Sequence, residues 1–416
     1  MIVMDKEIIK NIQISQWLIV LGIFFPNRIE IIFLICAVLS LTFCNKIIFK
    51  SKLFFVLIGA FIMEWLIIKI NGYNDLKFFQ QSILLFFFIL LYEQFFLFNK
   101  NDLIDLFRKY IKVSYYIALI GIIQFFIYFL FKINVLSFLS STQNMNGHFI
   151  RATSTLSEGG YLGTALIPSL IYLFYYGDPM CLLKKKKRWI VVLASLFSLS
   201  PFSYFVILFI IVAKLIERFK NAKYILGGLF LLFLFYFIGN SLQKKNFDAE
   251  SSGIDGIFMR VRDTYDIMTN FNNIDNLQTL NTSTAVFYGS LYTALHSPSR
   301  IVGTGLGTNK QSHDRLFTVN FDPNSSFYNL NADDGYSLFT RILSEFGFLG
   351  LFLYIIFIGS CFNRNNYINV SLFFIICCMF LRGGSYVNYG TIFLHFFYFY
   401  TSKFKFLKCN NICKSL

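Results

Sequence analysis

Two stretches of this chain place arginine and carboxylate side chains beside apolar runs, where a charge needs a partner or a function. The first, IRATSTLSEGGYLG at residues 150–163, contains Arg151 and Glu158. Its glycines permit close backbone approach, and exposed N–H groups beside a guanidinium can bind an anion. Alternatively, Arg151 extends to lipid headgroups and Glu158 only favours a helix N-terminus through the helix dipole.

The second stretch, NADDGYSLFTRILSEFGFLG, places Asp333 and Asp334 just before an apolar run. Because Asp334, Arg341 and Glu345 are separated by seven and then four residues, they share one stripe of a helix. An aspartate here can act as a general base with Arg341 holding an anion, or it can simply cap the helix. Arg382, in CCMFLRGGSYVNYG, also has two interpretations: it belongs to a functional site, or it extends to lipid headgroups.

Weaker candidates complete the set: His148, Arg260, Arg300 and Tyr336. None of the four histidines forms a metal-type pair, so we expect neither a metal nor a cofactor. The run VGTGLGTN resembles a phosphate-binding loop but lacks the strand-then-helix setting, which favours a supporting turn. Glu64 and Glu93 lie in apolar runs on separate helices. Internal pairing or a pore-facing structural role is therefore preferred to proton coupling in a transporter.

Helices must position these side chains, because 56% of the 416 residues are hydrophobic and only 14% are charged. Apolar runs near the length that crosses about 30 Å of hydrocarbon recur along the chain. The pattern predicts an all-α polytopic membrane protein with about twelve transmembrane helices. The pair 189–200 and 202–217 is either two helices or one helix kinked at Pro201, and the charge distribution favours two.

Composition divides the chain into three regions. We predict an N-terminal transmembrane bundle of about nine helices over 1–242 and C-terminal transmembrane helices with a cytoplasmic tail over 335–416. Between them, residues 243–334 lack apolar runs and predict one long outer loop. Helical spacing of apolar residues within 256–271 and 284–296 predicts two amphipathic helices in this loop.

The net charge of +15 reflects lysines and arginines clustered in short segments, such as KKKKR at 184–188. Since these segments alternate with apolar runs and form no single basic face, they indicate membrane topology and argue against nucleic acid. Both termini are predicted on the cytoplasmic side. The eight cysteines lie in apolar runs or cytoplasmic segments, which predicts no disulfide framework.

Three stretches together resemble the O-antigen and capsular polysaccharide polymerases (Wzy), relatives of the O-antigen ligases. They are RATSTLSEGGYLG, SPSRIVGTGLGTN and ADDGYSLFTRILSEFGFLGL. Positions that match the ligase pattern of His-Asn-x-Tyr followed by Glu-x-Gly-x-x-Gly are Tyr336, Glu345, Gly347 and Gly350. Asp333 and Asp334 stand where ligases have His and Asn, and this departure favours a polymerase.

The resemblance implies a glycosyltransferase that moves a growing glycan from undecaprenyl diphosphate onto a lipid-linked repeat unit, at the periplasmic face of a bacterial inner membrane. The implied diphosphate-binding residues are Arg151, Arg341 and Arg382, and the implied catalytic carboxylates are Asp333, Asp334 and Glu158. Implied partners are the lipid-linked oligosaccharide, membrane lipids, a chain-length regulator and a flippase. The alternatives are a ligase acting on lipid A core and a polysaccharide flippase, which usually has two similar halves.

Overall fold

The computed structural model describes residues 6–25, 31–33, 35–37, 51–93, 98–139, 145–146, 149–218, 259, 262–263, 265–267, 269, 280, 282–320, 328–383, 385–386 and 388–404. Within them the regular secondary structure is helical apart from one two-residue antiparallel pair, β1 (Met145–Asn146) and β2 (Phe149–Ile150). The all-α prediction is confirmed for these residues.

The helices before residue 219 are α1 (Lys6–Ile23), α2 (Ser51–Ile70), α3 (Leu76–Glu93), α4 (Lys100–Phe131), α5 (Gly159–Leu170, continued by a π turn over Ile171–Tyr175), α6 (Lys185–Phe197) and α7 (Pro201–Arg218). The later helices are α8 (Thr282–Leu295), α9 (Asn309–Asn320), α10 (Leu338–Ser360), α11 (Tyr367–Leu381) and α12 (Thr391–Ser402). A short 3-10 turn over Asn388–Gly390 precedes α12.

Among the described residues, α4 and α10 are long and apolar enough to cross a membrane, by length and composition alone. Shorter apolar helices cover Gln13–Ile23, Gly159–Tyr175, Pro201–Lys214 and Tyr367–Leu381. These features are compatible with membrane insertion. The apolar runs at 29–44 and 224–242 are two of the twelve predicted transmembrane helices. All of 224–242 and most of 29–44 lie outside the described residues, as does most of the helix predicted within 256–271.

Two helix boundaries have clear local causes. Asn99 accepts hydrogen bonds from the backbone N–H groups of Asn101 and Asp102, which starts α4 well before its apolar run. Pro201 occupies the first position of α7, where its missing N–H costs nothing. The chain therefore forms two helices, α6 and α7, in agreement with the prediction from the charge distribution.

Helix α5 lies at the centre of the packed helices. Its residues from Leu162 through Leu173 are buried, since the segment is largely apolar and the neighbouring helices α4, α6, α7 and α11 cover it. At Gly163 the approach of α7 is so close that a Cβ would lie 2.4 Å from the Cβ of Ser200. A larger residue there would separate the two helices.

One end of the bundle carries the turn between α2 and α3 and is capped by α9. Gln311 hydrogen-bonds the backbone N–H and carbonyl of Asn74 at 2.7 and 2.8 Å. Arg315 donates to the Gly72 carbonyl at 2.7 Å and lies 3.9 Å from the Tyr73 ring centroid. We call this the loop end, and the opposite end, with Lys184 to Arg188, the lysine end.

The glycine run at 302–309 packs against a break in α10 at Gly347, whose φ is 65°. The Gly305 N–H donates to the Glu345 carbonyl at 2.8 Å, and the Phe348 N–H donates to the Arg300 carbonyl at 2.9 Å. The run thus satisfies backbone groups that the break frees, as expected of a supporting turn. Glu64 accepts a hydrogen bond from the Leu306 N–H at 3.2 Å, in line with internal pairing.

The cysteine prediction fails at one position. Cys181, beside the lysine run, is disulfide-bonded. Cys36, Cys361, Cys377 and Cys378 are free thiols. Local sequence did not reveal this bond, because a disulfide depends on two chain segments meeting in space.

Candidate functional site

Two adjoining cavities open at the loop end, where the N-terminus of α5, the loop before α10 and the end of α11 meet. The larger has a volume of about 150 Å³ and the smaller about 30 Å³. Tyr161, Asp334, Arg382 and Gly383 line both of them. We call the two cavities together the loop-end site.

Four of the residues selected from the sequence line the larger cavity: Glu158, Asp334, Tyr336 and Arg382. Side chains that the sequence did not single out also line the site, namely Tyr161, Thr282, Ser283, Asn331 and Tyr389. Tyr161 and Asn331 could have been suspected from the sequence, because each lies within three residues of a selected residue. Thr282 and Ser283 are distant in sequence from the selected residues that line the site, and only the tertiary structure brings them there.

Arg382 ends α11 and lies across the first turn of α5. Its guanidinium carbon would be 3.7 Å from a Cβ on Gly160, and it lies 6.0 Å from the Tyr336 ring centroid. The Gly383 N–H donates to the Tyr336 carbonyl at 3.0 Å and joins the two loops. No carboxylate of the described residues forms an ion pair with Arg382, so its charge is available to an anion.

Asp334 sits in a tight loop shaped by three left-handed residues, Asn331, Gly335 and Tyr336, with φ of 56°, 68° and 66°. Its Oδ1 accepts a hydrogen bond from the Tyr336 N–H at 3.4 Å. Burial raises the pKa of Asp334, and the nearby positive charge of Arg341 opposes the shift. A carboxyl in this setting is suited to accept a proton.

The helix cap at α10 is Ser337 and neither aspartate. Its Oγ accepts a hydrogen bond from the Thr340 N–H at 3.2 Å. Asp333 is exposed, forms an ion pair with Lys77 of α3 and does not line the loop-end site. The two neighbouring aspartates therefore differ: Asp334 belongs to the site and Asp333 fastens the loop to α3.

Glu158 is the N-cap residue of α5, yet its side chain makes no capping hydrogen bond. Glu158 lines the larger cavity together with Arg382 and Tyr161. Next to it, the Ser157 hydroxyl hydrogen-bonds the Tyr389 hydroxyl at 2.7 Å, and the Tyr389 ring stacks on Tyr161 at 4.0 Å between centroids. These contacts fix the turn that presents Glu158.

Arg341 lies below the loop-end site and does not line it. The guanidinium is buried, 3.2 Å from Glu345 and 2.9 Å from the Gln81 amide oxygen, and it covers the Tyr386 ring at 4.1 Å. Glu345 accepts a second hydrogen bond from the Tyr386 hydroxyl at 2.9 Å. The charge of Arg341 is thus balanced inside the bundle.

The remaining candidates also lie apart from the site. Arg151 is half-buried and does not line either cavity; the next residue, Ala152, donates its N–H to the Phe197 carbonyl at the end of α6 at 2.9 Å. Arg300 is exposed and contributes only its backbone carbonyl to the break in α10. His148 and Arg260 fall outside the described residues.

The loop-end site combines the Arg382 guanidinium, which pairs with no described carboxylate, with two carboxylates, hydroxyl groups and tyrosine rings. This set can bind an anion beside a polar, hydroxylated group. Within the described residues no group of three or more histidine, cysteine, aspartate or glutamate side chains could hold a metal ion. Comparisons with protein-family models, with curated proteins and with solved structures yielded no match.

Proposed function

We propose that the protein is a membrane glycosyltransferase of the polysaccharide polymerase type. It would transfer a growing O-antigen or capsular glycan from undecaprenyl diphosphate to a lipid-linked repeat unit. One observation carries the proposal: Asp334, Arg382 and Glu158 line a single cavity at the loop end. The resemblance of the three sequence stretches to the Wzy polymerases supports the same reaction.

The proposal includes an orientation in a bacterial inner membrane. About twelve helices would span the bilayer, with both termini in the cytoplasm and the loop end facing the periplasm. Two observations support it: the lysines at 184–187, which pair with no described carboxylate, lie at the opposite end from the loop-end site, and α9 packs on the α2–α3 turn. Residues 243–334 would form the periplasmic loop.

The chemistry needs two groups that the site supplies. As the acceptor hydroxyl oxygen bonds to the anomeric carbon of the donor sugar, the bond from that carbon to the diphosphate oxygen breaks. The leaving diphosphate keeps the electron pair, and Arg382 stabilises its charge in the cavity. Asp334 takes the proton from the attacking hydroxyl group of the acceptor sugar, and Glu158 orients that hydroxyl group.

The roles of the other candidates change under this proposal. Arg341, paired with Glu345, supports the loop that carries Asp334 and does not contact the diphosphate. Arg151 stabilises the segment before α5, and Asp333 positions the loop through Lys77. These three side chains line neither cavity, and Arg341 and Asp333 form ion pairs with Glu345 and Lys77.

A deletion strain tests the reaction. Loss of a polymerase should leave surface chains of a single repeat unit, since the unit is still made, exported and attached. A strain with no glycan on lipid A core would instead identify a ligase. Single units retained on the cytoplasmic face would identify a flippase, and unchanged long chains would refute all three functions.

A further inference from the structure

Helices α4 and α6 run side by side in the same direction. Near the lysine end the Lys187 Nζ lies 5.4 Å from the Tyr115 ring centroid. Toward the loop end the rings of Phe125 and Phe197 stack at 4.2 Å. Ten residues separate the two contacts on each helix, so the helices stay in register along this length.

Both helices change from basic to apolar at one level. On α4 the change comes after Lys112, about one turn before Tyr115, and on α6 it comes after Arg188, one residue beyond Lys187. Sequence alone could not show that these two changes coincide, because the segments are more than seventy residues apart. A shared boundary of this kind marks a membrane interface.

Each helix presents the same order of exposed side chains across that level. On α4 an exposed Lys112 is followed by Tyr116 at 61% exposure and then by the aliphatic Ile120. On α6 exposed Lys185 and Lys186 are followed by Trp189 at 59% and then by Leu193. These residues recur at three- and four-residue spacing, so each set forms a single stripe. We call the two stripes together the lysine–aromatic surface.

The positive charge of this surface is not neutralised within the described residues. Arg188 is committed to Asp178 at 3.2 Å and to the carbonyls of Leu183 and Gly177. The four lysines at 184–187 form no ion pair with any described carboxylate. An anion can therefore be held by several lysines together.

We propose that the lysine–aromatic surface binds an anionic glycerophospholipid of the cytoplasmic leaflet. The lipid phosphate would lie between Lys186, Lys187 and Lys112, the glycerol region beside Trp189 and Tyr116, and an acyl chain along Leu193 and Ile120. The order cation, aromatic ring and aliphatic side chain matches the order phosphate, interface and hydrocarbon in such a lipid. The site lies at the opposite end from the loop-end site and does not depend on the proposed enzymatic function.

Trp189 provides the measurement, because the chain has three tryptophans. A Trp17→Phe, Trp65→Phe protein retains Trp189 as its only tryptophan. Purified and placed in bilayers of phosphatidylcholine doped with a brominated lipid, it should show stronger quenching by brominated phosphatidylglycerol than by brominated phosphatidylcholine at equal mole fraction. The excess should decline as salt is raised, since the attraction is electrostatic.

Charge variants complete the test. Lys186→Gln should lower the local enrichment of the anionic lipid about fivefold, the contribution of one lysine near a membrane surface. Lys100→Gln removes the same charge at the start of α4, twelve residues before Lys112, and should leave the excess unchanged. A protein that retains only Trp65, on α2, should be quenched equally by both lipids. Equal quenching of Trp189 by the two lipids, or an excess that survives Lys186→Gln, would overturn the proposal.

Discussion

Arg382 and Asp334 show how the environment of single residues separates a site from its surroundings. Arg382 rests on Gly160 and has no carboxylate partner among the described residues, whereas Arg341 is buried against Glu345. Both are arginines beside apolar helices, and their sequence contexts are similar. The difference lies in which long-range partners each guanidinium meets, and it predicts different effects of substitution.

We expect Arg382→Ala to reduce chain extension about 10² to 10³-fold, the effect of removing one stabilising group from a developing oxyanion. Arg382→Lys should restore little, because an ammonium cannot replace a planar fork. Glycan length on gels from a complemented deletion strain measures this. Arg300→Ala removes an exposed arginine outside the cavity and serves as the control. Long chains from Arg382→Ala at normal protein abundance would contradict the assignment.

The raised pKa of Asp334 predicts a pH dependence of activity. As a base, Asp334 acts only when ionised, so the rate should fall as the pH falls through its raised pKa, above the value of about 3.9 for an ordinary aspartate. Asp334→Asn should abolish transfer, while Asp333→Asn, outside the cavity, should retain it. Rates of chain extension in membranes across acid pH measure both. Full activity of Asp334→Asn would exclude the base role.

The same shift predicts a change in stability. The pKa of Asp334 is higher in the folded state than in the unfolded state, so protonation of this carboxyl stabilises the fold. This stabilisation is fully present below the unfolded pKa and is lost as the pH rises through the folded pKa. An asparagine at position 334 does not ionise, so the Asp334→Asn variant does not lose this stabilisation. Its Tm should exceed that of the unmodified protein at neutral pH, and the two Tm values should become equal at acid pH. Thermal unfolding in detergent at the two pH values gives the comparison. A lower Tm for the variant at neutral pH would contradict it.

At the scale of elements, the break in α10 organises the loop end. Gly347 leaves the helix, and the run at 302–309 enters so closely that a Cβ on Gly303 would lie 2.2 Å from the Glu345 carbonyl oxygen. Ser337 caps the same helix and holds the loop that carries Asp334. The glycine run thus acts at a distance from the loop-end site, because it supports the helix that follows the loop carrying Asp334.

Gly347→Ala should destabilise the protein, because the new Cβ would lie 2.4 Å from the Ile301 carbonyl oxygen and φ is 65°. Strained backbone of this kind costs about 1 to 3 kcal/mol, before any clash is counted. Gly359→Ala, later in α10 with nothing within 4 Å, is the matched control and should be neutral or stabilising. Thermal unfolding of the detergent-purified variants compares them, and equal Tm values would contradict this account of the break.

The whole molecule separates two chemically different ends. The loop-end site and α9 lie at one end, and Lys112 and the lysines at 184–187 lie at the other. Helices α4 and α6 run from the lysine end toward the loop end, and buried α5 returns between them. This separation fits a protein that meets lipid-linked sugar on one face of a membrane and anionic headgroups on the other.

The proposed orientation predicts accessibility to a membrane-impermeant thiol reagent in intact inner-membrane spheroplasts. With Cys36 replaced by Ser, Asn74→Cys and Asn329→Cys at the loop end should be labelled. Asn101→Cys, in the first turn of α4, should be labelled only after the membrane is opened. All three positions are exposed, so differences report sidedness. Labelling of Asn101→Cys in sealed spheroplasts would contradict the proposed orientation and indicate the opposite one.

Sequence by itself determined the helical class, the α6–α7 division and the short set of charges beside apolar helices, because hydrophobicity, proline and capping act locally. It also placed Glu158, Asp334, Tyr336 and Arg382 in that set. Only the tertiary structure distinguished Asp334 from Asp333 and Arg382 from Arg341. Each choice depends on a distant partner: Lys77 for Asp333, and Gln81 for Arg341, which is buried with Glu345. The two partners are separated along the chain by 256 positions in the first contact and by 260 in the second. Contacts over such distances produce no periodicity or spacing that could be recognised in the sequence.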